Sequence, residues 1–146
     1  MFDDKDRVFV IEMGPRNGGN MIPDLLRLIT GADMVSATIE TALGNMEFDV
    51  QANSNKYSFA SYNLHSSQNG IFKGINFHKD IEKNIIKKVF YKRVDDYVQY
   101  FDSANKSIGI LFLKFIDVDN MLFVMNSIED YILIDIVKEK TIVEGR

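Results

Sequence analysis

A glutamate closes an apolar run at residue 12, and an arginine follows four residues later, inside the segment Gly14-Pro15-Arg16-Asn17-Gly18-Gly19-Asn20. A carboxylate at the end of a strand pays heavily for desolvation unless something positive meets it. A divalent cation would remove that cost, and hard oxygen ligands suit magnesium, which commonly keeps phosphate oxygens in its shell. Arg16 supplies a fixed, planar charge suited to phosphate or carboxylate. Gly18 and Gly19 let backbone N–H groups approach an anion. A magnesium–phosphate site fits these residues. So does a plain Glu12–Arg16 salt bridge, since ion pairs at loop ends are common, and the residue types leave both open.

The elements that must position this segment are short. Residues 8–12 read as a buried strand, because four consecutive apolar residues leave no face for water. Before them, Asp3-Asp4-Lys5-Asp6 suits the tip of a hairpin. After the glycine loop, Ile22-Pro23-Asp24 opens a helix, with proline favoured in the first turn and aspartate matching the helix dipole. Leu25, Leu26, Leu28 and Ile29 give that helix an apolar face, and Gly31 ends it. Asp33 can cap a second helix, along which Met34, Val35, Thr38, Ile39 and Leu43 line one side, with Gly44 as its stop.

Residues 45–56 are mostly polar and read as a connector, which divides the chain into 1–50 and 51–146. Beyond it, residues 57–65, 70–77, 85–92 and 97–101 are rich in β-branched and aromatic types and read as strands. A strand over 108–115, a helix over 117–130 capped by Asp117 and a strand over 131–137 complete a strand–helix–strand ending, with 138–146 as a tail. The fold class is α+β.

Composition bounds the function. The chain has 146 residues, 46% hydrophobic and 26% charged, with a net charge of −4. Its lysines and arginines are spread out, so no basic stripe points to nucleic acid. There is no cysteine, which excludes disulfides and thiolate metal sites, and two histidines make a zinc site a poor fit. No apolar stretch is long enough to span a membrane, and MFDDKDR lacks the apolar core of a signal peptide, so a cytoplasmic protein is expected. His65 and His78 read as surface or capping residues, and Asp95-Asp96 as a solvated hairpin tip. Lys83, Lys87, Lys88, Lys92 and Arg93 read as a solvated basic face, and the methionines and phenylalanines as core.

The order of parts in VFVIEMGPRNGGNMIPDLLRLITGADMVSATIETALG resembles the last segment of the catalytic domain of ATP-grasp ligases, above all the carbamoyl-phosphate-synthase-like and amino-acid-ligase-like members. That family shows a strand ending in Glu-x-Asn-x-Arg, a glycine-containing loop, a short helix opening Ile-Pro-Asp/Glu, and a Thr-Gly-x-Asp helix entry. The matching residues are Glu12, Arg16, Gly18-Gly19, Ile22-Pro23-Asp24 and Thr30-Gly31-Ala32-Asp33. Position 14 departs from the pattern: a metal-ligating asparagine of the family is Gly14 here. NGIFKGINF and the strand–helix–strand ending resemble the small β-rich C-terminal domain of amino-acid-ligase-like members.

The resemblance implies a C-terminal fragment or subunit of an ATP- and magnesium-dependent carboxylate–amine ligase acting through an acyl-phosphate. Glu12 would hold magnesium against the ATP phosphates, and Arg16 would steady the phosphoryl group as charge moves onto it. Asn17, Gly18, Gly19 and Asn20 would approach the substrate carboxylate or acyl-phosphate oxygens. The family's phosphate-loop lysine, its adenine-binding segment and its first metal-binding acid would all fall before Met1. The expectation is therefore the back third of such a ligase, inactive alone, whose partner is the N-terminal ATP-grasp portion. The alternative is a non-catalytic interaction or oligomerisation module, in which strand 8–12 pairs with a partner or with a second copy as a homodimer. Neither nucleic acid nor membrane is an expected partner. Phe9, Ile11, Leu25 and Met34 are the apolar side chains expected on the open surface.

Overall fold

The structure, a computed structural model, describes residues 4–5, 7–11, 14, 17–45 and 56–138. The expectations for Glu12, Arg16, most of the connector and the tail lie outside the described residues. The chain divides into two compact units, Met1–Ala52 and Asn53–Arg146.

In the first unit, α1 (Ile22–Thr30) has proline in its opening turn with Asp24 beside it. It ends at Gly31, whose φ of 79° suits a residue without a Cβ and lets its N–H donate to the Arg27 carbonyl at 2.8 Å. Helix α2 (Met34–Ala42) is capped by Asp33, whose carboxylate accepts from the Ser36 N–H at 3.0 Å. Gly44, at φ 88°, closes it by donating to the Thr41 carbonyl. Both helices bury little. Ala32 and Ala37 are the buried apolar residues among those described here, while Leu26, Leu28, Val35, Ile39 and Leu43 are exposed.

The expected buried strand at residues 8–12 is corrected over its described part. Val8 makes one isolated bridge, no strand runs through 8–11, and exposure reaches 78% at Val10. An apolar run signals a wish for burial but supplies no layer to satisfy it. Phe9 and Ile11 lie on the open surface as expected, whereas Leu25 and Met34 are half-buried. Asp4 and Lys5 form a turn.

In the second unit, β1 (Ser58–Leu64), β2 (Gly70–Phe77), β3 (Ile85–Phe90), β4 (Tyr97–Val98), β5 (Gly109–Phe115) and β6 (Ile132–Val137) form two three-stranded antiparallel sheets, ordered β1-β5-β3 and β4-β2-β6. A short helix α3 (Lys79–Glu82) precedes β3. The expected helix over 117–130 is split into α4 (Val118–Met125), capped by Asp117 through the Asn120 N–H at 2.7 Å, and a 3₁₀ turn at Ile128–Tyr131. The strand–helix–strand ending is present, yet β6 pairs with β2 and not with β5.

Period-two alternation builds the core. Ala60, Tyr62 and Leu64 of β1 share a face with Leu111, Leu113 and Phe115 of β5. Strand β2 breaks the alternation with a bulge between Phe72 and Gly74, so that Phe72, Ile75 and Phe77 all stand opposite β6 core residues, Ile136, Ile134 and Ile132. The displaced Lys73 turns outward and pairs with Asp95 at 2.7 Å. Helix α4 lies against β1 and β5 and brings Met121, Val124 and Met125 to the core.

The reading of phenylalanines as core holds for Phe72, Phe112 and Phe115 and fails for Phe90 and for Phe123, which is 72% exposed. The expected basic face does not form as one surface. Lys87 holds its ammonium over the Phe112 ring and its neighbour Lys88 over Phe77, on opposite faces of β3. Among the described residues no helix is long and apolar enough to cross a membrane.

Candidate functional site

The Thr-Gly-x-Asp segment owes its residue types to joining two helices. The Thr30 hydroxyl donates to the Leu26 carbonyl at 2.8 Å and accepts from the Ala32 N–H at 3.1 Å. Gly31 reverses the chain, and Asp33 caps α2 while its second oxygen meets the Arg27 guanidinium at 3.0 Å. The Asp33 carboxyl is held below its ordinary range, chiefly by the Ser36 N–H and further by the Ser36 side chain and Arg27, against the opposing effect of desolvation. This joint fixes α2 relative to the loop that enters α1.

That loop is anchored at one end and open at the other. The Asn17 side-chain amide donates to the Thr38 hydroxyl at 2.8 Å and to the Met34 carbonyl at 3.3 Å, tying the loop to the first turns of α2. Asn20 and Met21 both take left-handed backbone, at φ 52° and 58°, to turn the chain into α1. Asparagine tolerates this conformation, whereas for methionine it costs about 1 kcal/mol. The Ile22 N–H donates back to the Gly19 carbonyl at 3.1 Å. A Cβ at Gly18 would sit 3.3 Å from the Ile22 Cβ, but one at Gly14 or Gly19 would meet nothing within 4 Å, and neither has positive φ. Nothing described in the chain itself demands glycine at 14 or 19.

Of the residues singled out from the sequence, the structure therefore places Gly14, Asn17, Gly18, Gly19 and Asn20. Asn17 is half-buried and engaged with α2, and the glycines and Asn20 are exposed. Glu12 and Arg16 lie outside the described residues. Among the described residues no group of three or more His, Asp or Glu side chains could hold a metal.

Sequence reasoning missed a cluster in the second unit. His65, read as a surface or capping residue, is half-buried, its ring 4.7 Å from that of Phe101 and 5.7 Å from that of Tyr62. Glu129, from the 3₁₀ turn, approaches it at 3.9 Å. Burial, and secondarily the charge of Glu129, raise the Tyr62 phenol above its ordinary value. Nothing in spacing could have found the cluster, because β1 and the turn before β6 meet only in the folded sheets. His78 does cap, accepting from the Asp80 N–H at 3.3 Å at the start of α3.

No protein-family model matches the sequence, and no curated protein matches it. Solved structures do match the fold. The chain superposes on phosphoribosylglycinamide synthetase from Anaerococcus prevotii with a TM-score of 0.61 and 20% identity, covering 81% of this chain and 31% of that one. It superposes on L-amino acid ligase from Bacillus licheniformis with a TM-score of 0.66 and 14% identity, covering 94% of this chain and 34% of that one. It thus spans about a third of the length of each. Through most of its own length the chain has the fold found in a part of these two proteins, both ATP-grasp ligases.

Proposed function

We propose that the chain is the C-terminal part, as fragment or subunit, of an ATP- and magnesium-dependent ligase that joins a carboxylate to an amine through an acyl-phosphate. The observation that carries this reading is the shared fold over 81% and 94% of the chain with two ligases, alongside the sequence motif around Glu12 and Arg16. In this reading residues 1–50 end the ATP-grasp domain and residues 51–146 form the small domain that follows, working in the cytoplasm.

The described loop suits an oxyanion. Open space at Gly14 and Gly19 gives a physical reason for glycine only if another group approaches the backbone there. Backbone N–H groups in such a loop are ready donors to phosphate or carboxylate oxygen. Magnesium, when bound, supplies charge neutralisation at the phosphates; Glu12 would be its ligand from this chain. Arg16 would hold the phosphoryl oxygens, and Asn17 would keep the loop docked on α2 so that the Gly18–Gly19 backbone faces the substrate.

The test is a titration of the chain with acetyl phosphate and magnesium, followed by amide NMR. Saturable shifts at Gly18, Gly19 and Asn20, abolished in Arg16→Ala, are expected. No shift at these amides would remove the oxyanion role. Phosphate release from ATP by the pure chain, lost in Glu12→Ala, would overturn the claim that it is inactive alone.

A second reading is supported by the exposed apolar residues of the first unit. Val8–Ile11 and the Val35, Ile39 and Leu43 stripe of α2 suit an interaction or oligomerisation module that pairs with the N-terminal portion of a ligase or with a second copy. Sedimentation of the pure chain separates the two partners: a homodimer lost in Ile39→Glu identifies the copy.

A further inference from the structure

Asparagine followed by glycine occurs twice in the chain, at Asn17-Gly18 and Asn69-Gly70. The pair has a chemistry of its own. A glycine nitrogen, with no Cβ to shield it, can reach the side-chain carbonyl carbon of the asparagine before it. The two pairs sit in opposite surroundings.

Gly70 opens β2, is buried and pairs with Val98 of β4. A Cβ there would lie 2.6 Å from the Val137 carbonyl oxygen, so the backbone is wedged between two strands. Asn69 is held as well, its Oδ1 accepting from the Tyr100 N–H at 2.8 Å. Bringing the Gly70 nitrogen onto Asn69 requires this part of the sheet to open.

Gly18 is exposed and belongs to no helix or strand, and among the described residues its N–H meets no acceptor. Asn17 is restrained through its side chain, whose Nδ2 donates to the Thr38 hydroxyl at 2.8 Å and to the Met34 carbonyl at 3.3 Å. Releasing a contact of this kind slows attack by about fivefold, far less than opening a sheet does.

We propose that Asn17 deamidates in the folded protein and that the reaction frees the loop from α2. The Gly18 nitrogen bonds to Asn17 Cγ, the Cγ–Nδ2 bond breaks, and Nδ2 leaves as ammonia with the hydrogen that Gly18 gave up. Water then opens the resulting cyclic imide at either carbonyl, leaving aspartate or isoaspartate. The atom expelled is the one that holds the loop. A carboxylate has no hydrogen to donate. It would face the Met34 carbonyl, another acceptor, and a Thr38 hydroxyl whose hydrogen is already given to that carbonyl at 2.8 Å. Loop and helix therefore part, and refolding does not restore the bond. The site rests on these contacts and not on the ligase reading.

The experiment ages the full chain in mildly alkaline buffer, with and without urea, and maps the acid formed at each asparagine by peptide mass spectrometry. In the folded chain Asn17 should convert at least about tenfold faster than Asn69. In urea the two should convert at similar rates, because the sheet no longer protects Asn69. The Thr38 and Met34 amide NMR signals of the aged protein should leave their native positions, as they should from the outset in Asn17→Asp. An unconverted Asn17, equally fast conversion of Asn69 in the folded chain, or Thr38 and Met34 signals that stay in place after conversion would each overturn the proposal.

Discussion

The side-chain amide of Asn17 donates to the Thr38 hydroxyl at 2.8 Å, and that hydroxyl passes its own hydrogen to the Met34 carbonyl at 2.8 Å. The loop before α1 is thus hydrogen-bonded to α2 through a short chain of polar groups. Asn17→Ala should cost about 1 kcal/mol of stability in the first unit, the usual net worth of such a bond. Thr38→Val should cost a similar amount, about 1 kcal/mol, and the double variant less than the sum of the two, because they break one contact. Urea denaturation of the four proteins checks this. Strict additivity would show that the two side chains act separately.

Tyr62 gives the second unit an alkaline weakness. Its folded-state pKa is raised above the ordinary value of 10.0, first by burial and then by Glu129. A raised tyrosine keeps its proton in the folded state after the unfolded chain has begun to lose it. Its contribution is therefore complete below pH 10 and is lost as pH rises through the higher folded value. Among the six tyrosines, Tyr62 should ionise late in an ultraviolet titration. Tyr62→Phe should flatten the alkaline loss of stability, and an unchanged slope would contradict the assignment.

Gly109 opens β5 opposite Phe90 of β3. A Cβ there would run into the Val89 carbonyl oxygen, with the Phe90 Cα only 3.2 Å away. Both obstacles are backbone, so the strands themselves would have to part. Gly109→Ala should destabilise the second unit by about 1–3 kcal/mol, as overpacking does. Leu113→Ala, which empties a fully buried position of the same strand, should cost about 2–5 kcal/mol. Thermal unfolding orders the two variants.

Local signals in the sequence were the readable ones. Asp33, Asp117, Gly31 and Gly44 act through bonds to residues a few positions away, so their capping and stopping roles follow from type and place alone. The strands of the second unit were legible for the same reason: alternation is a local property, and β2 runs over the expected residues 70–77. Pairing is not local. Nothing in residues 108–137 tells β6 to leave β5 and join β2, and the bulge that lets Phe72 share a face with Ile75 defeats a strict count by twos. The apolar run at 8–11 shows the opposite failure, a strong local pattern with no layer over it. His65 and Glu129 come together only through the sheets, so their meeting was invisible until the topology was known.

The central place of β5 also sets an order of events. Strands β1 and β3 are both synthesised before it, and among the described residues each finds its sheet partner only in β5. The β2 strand likewise gains its long neighbour only when β6 arrives. Closing loops of this span before any pairing is rewarded makes for slow folding. On a ribosome the second unit would emerge as a set of open strand edges, those of β1 and β3 covered only once β5 follows and that of β2 only once β6 follows.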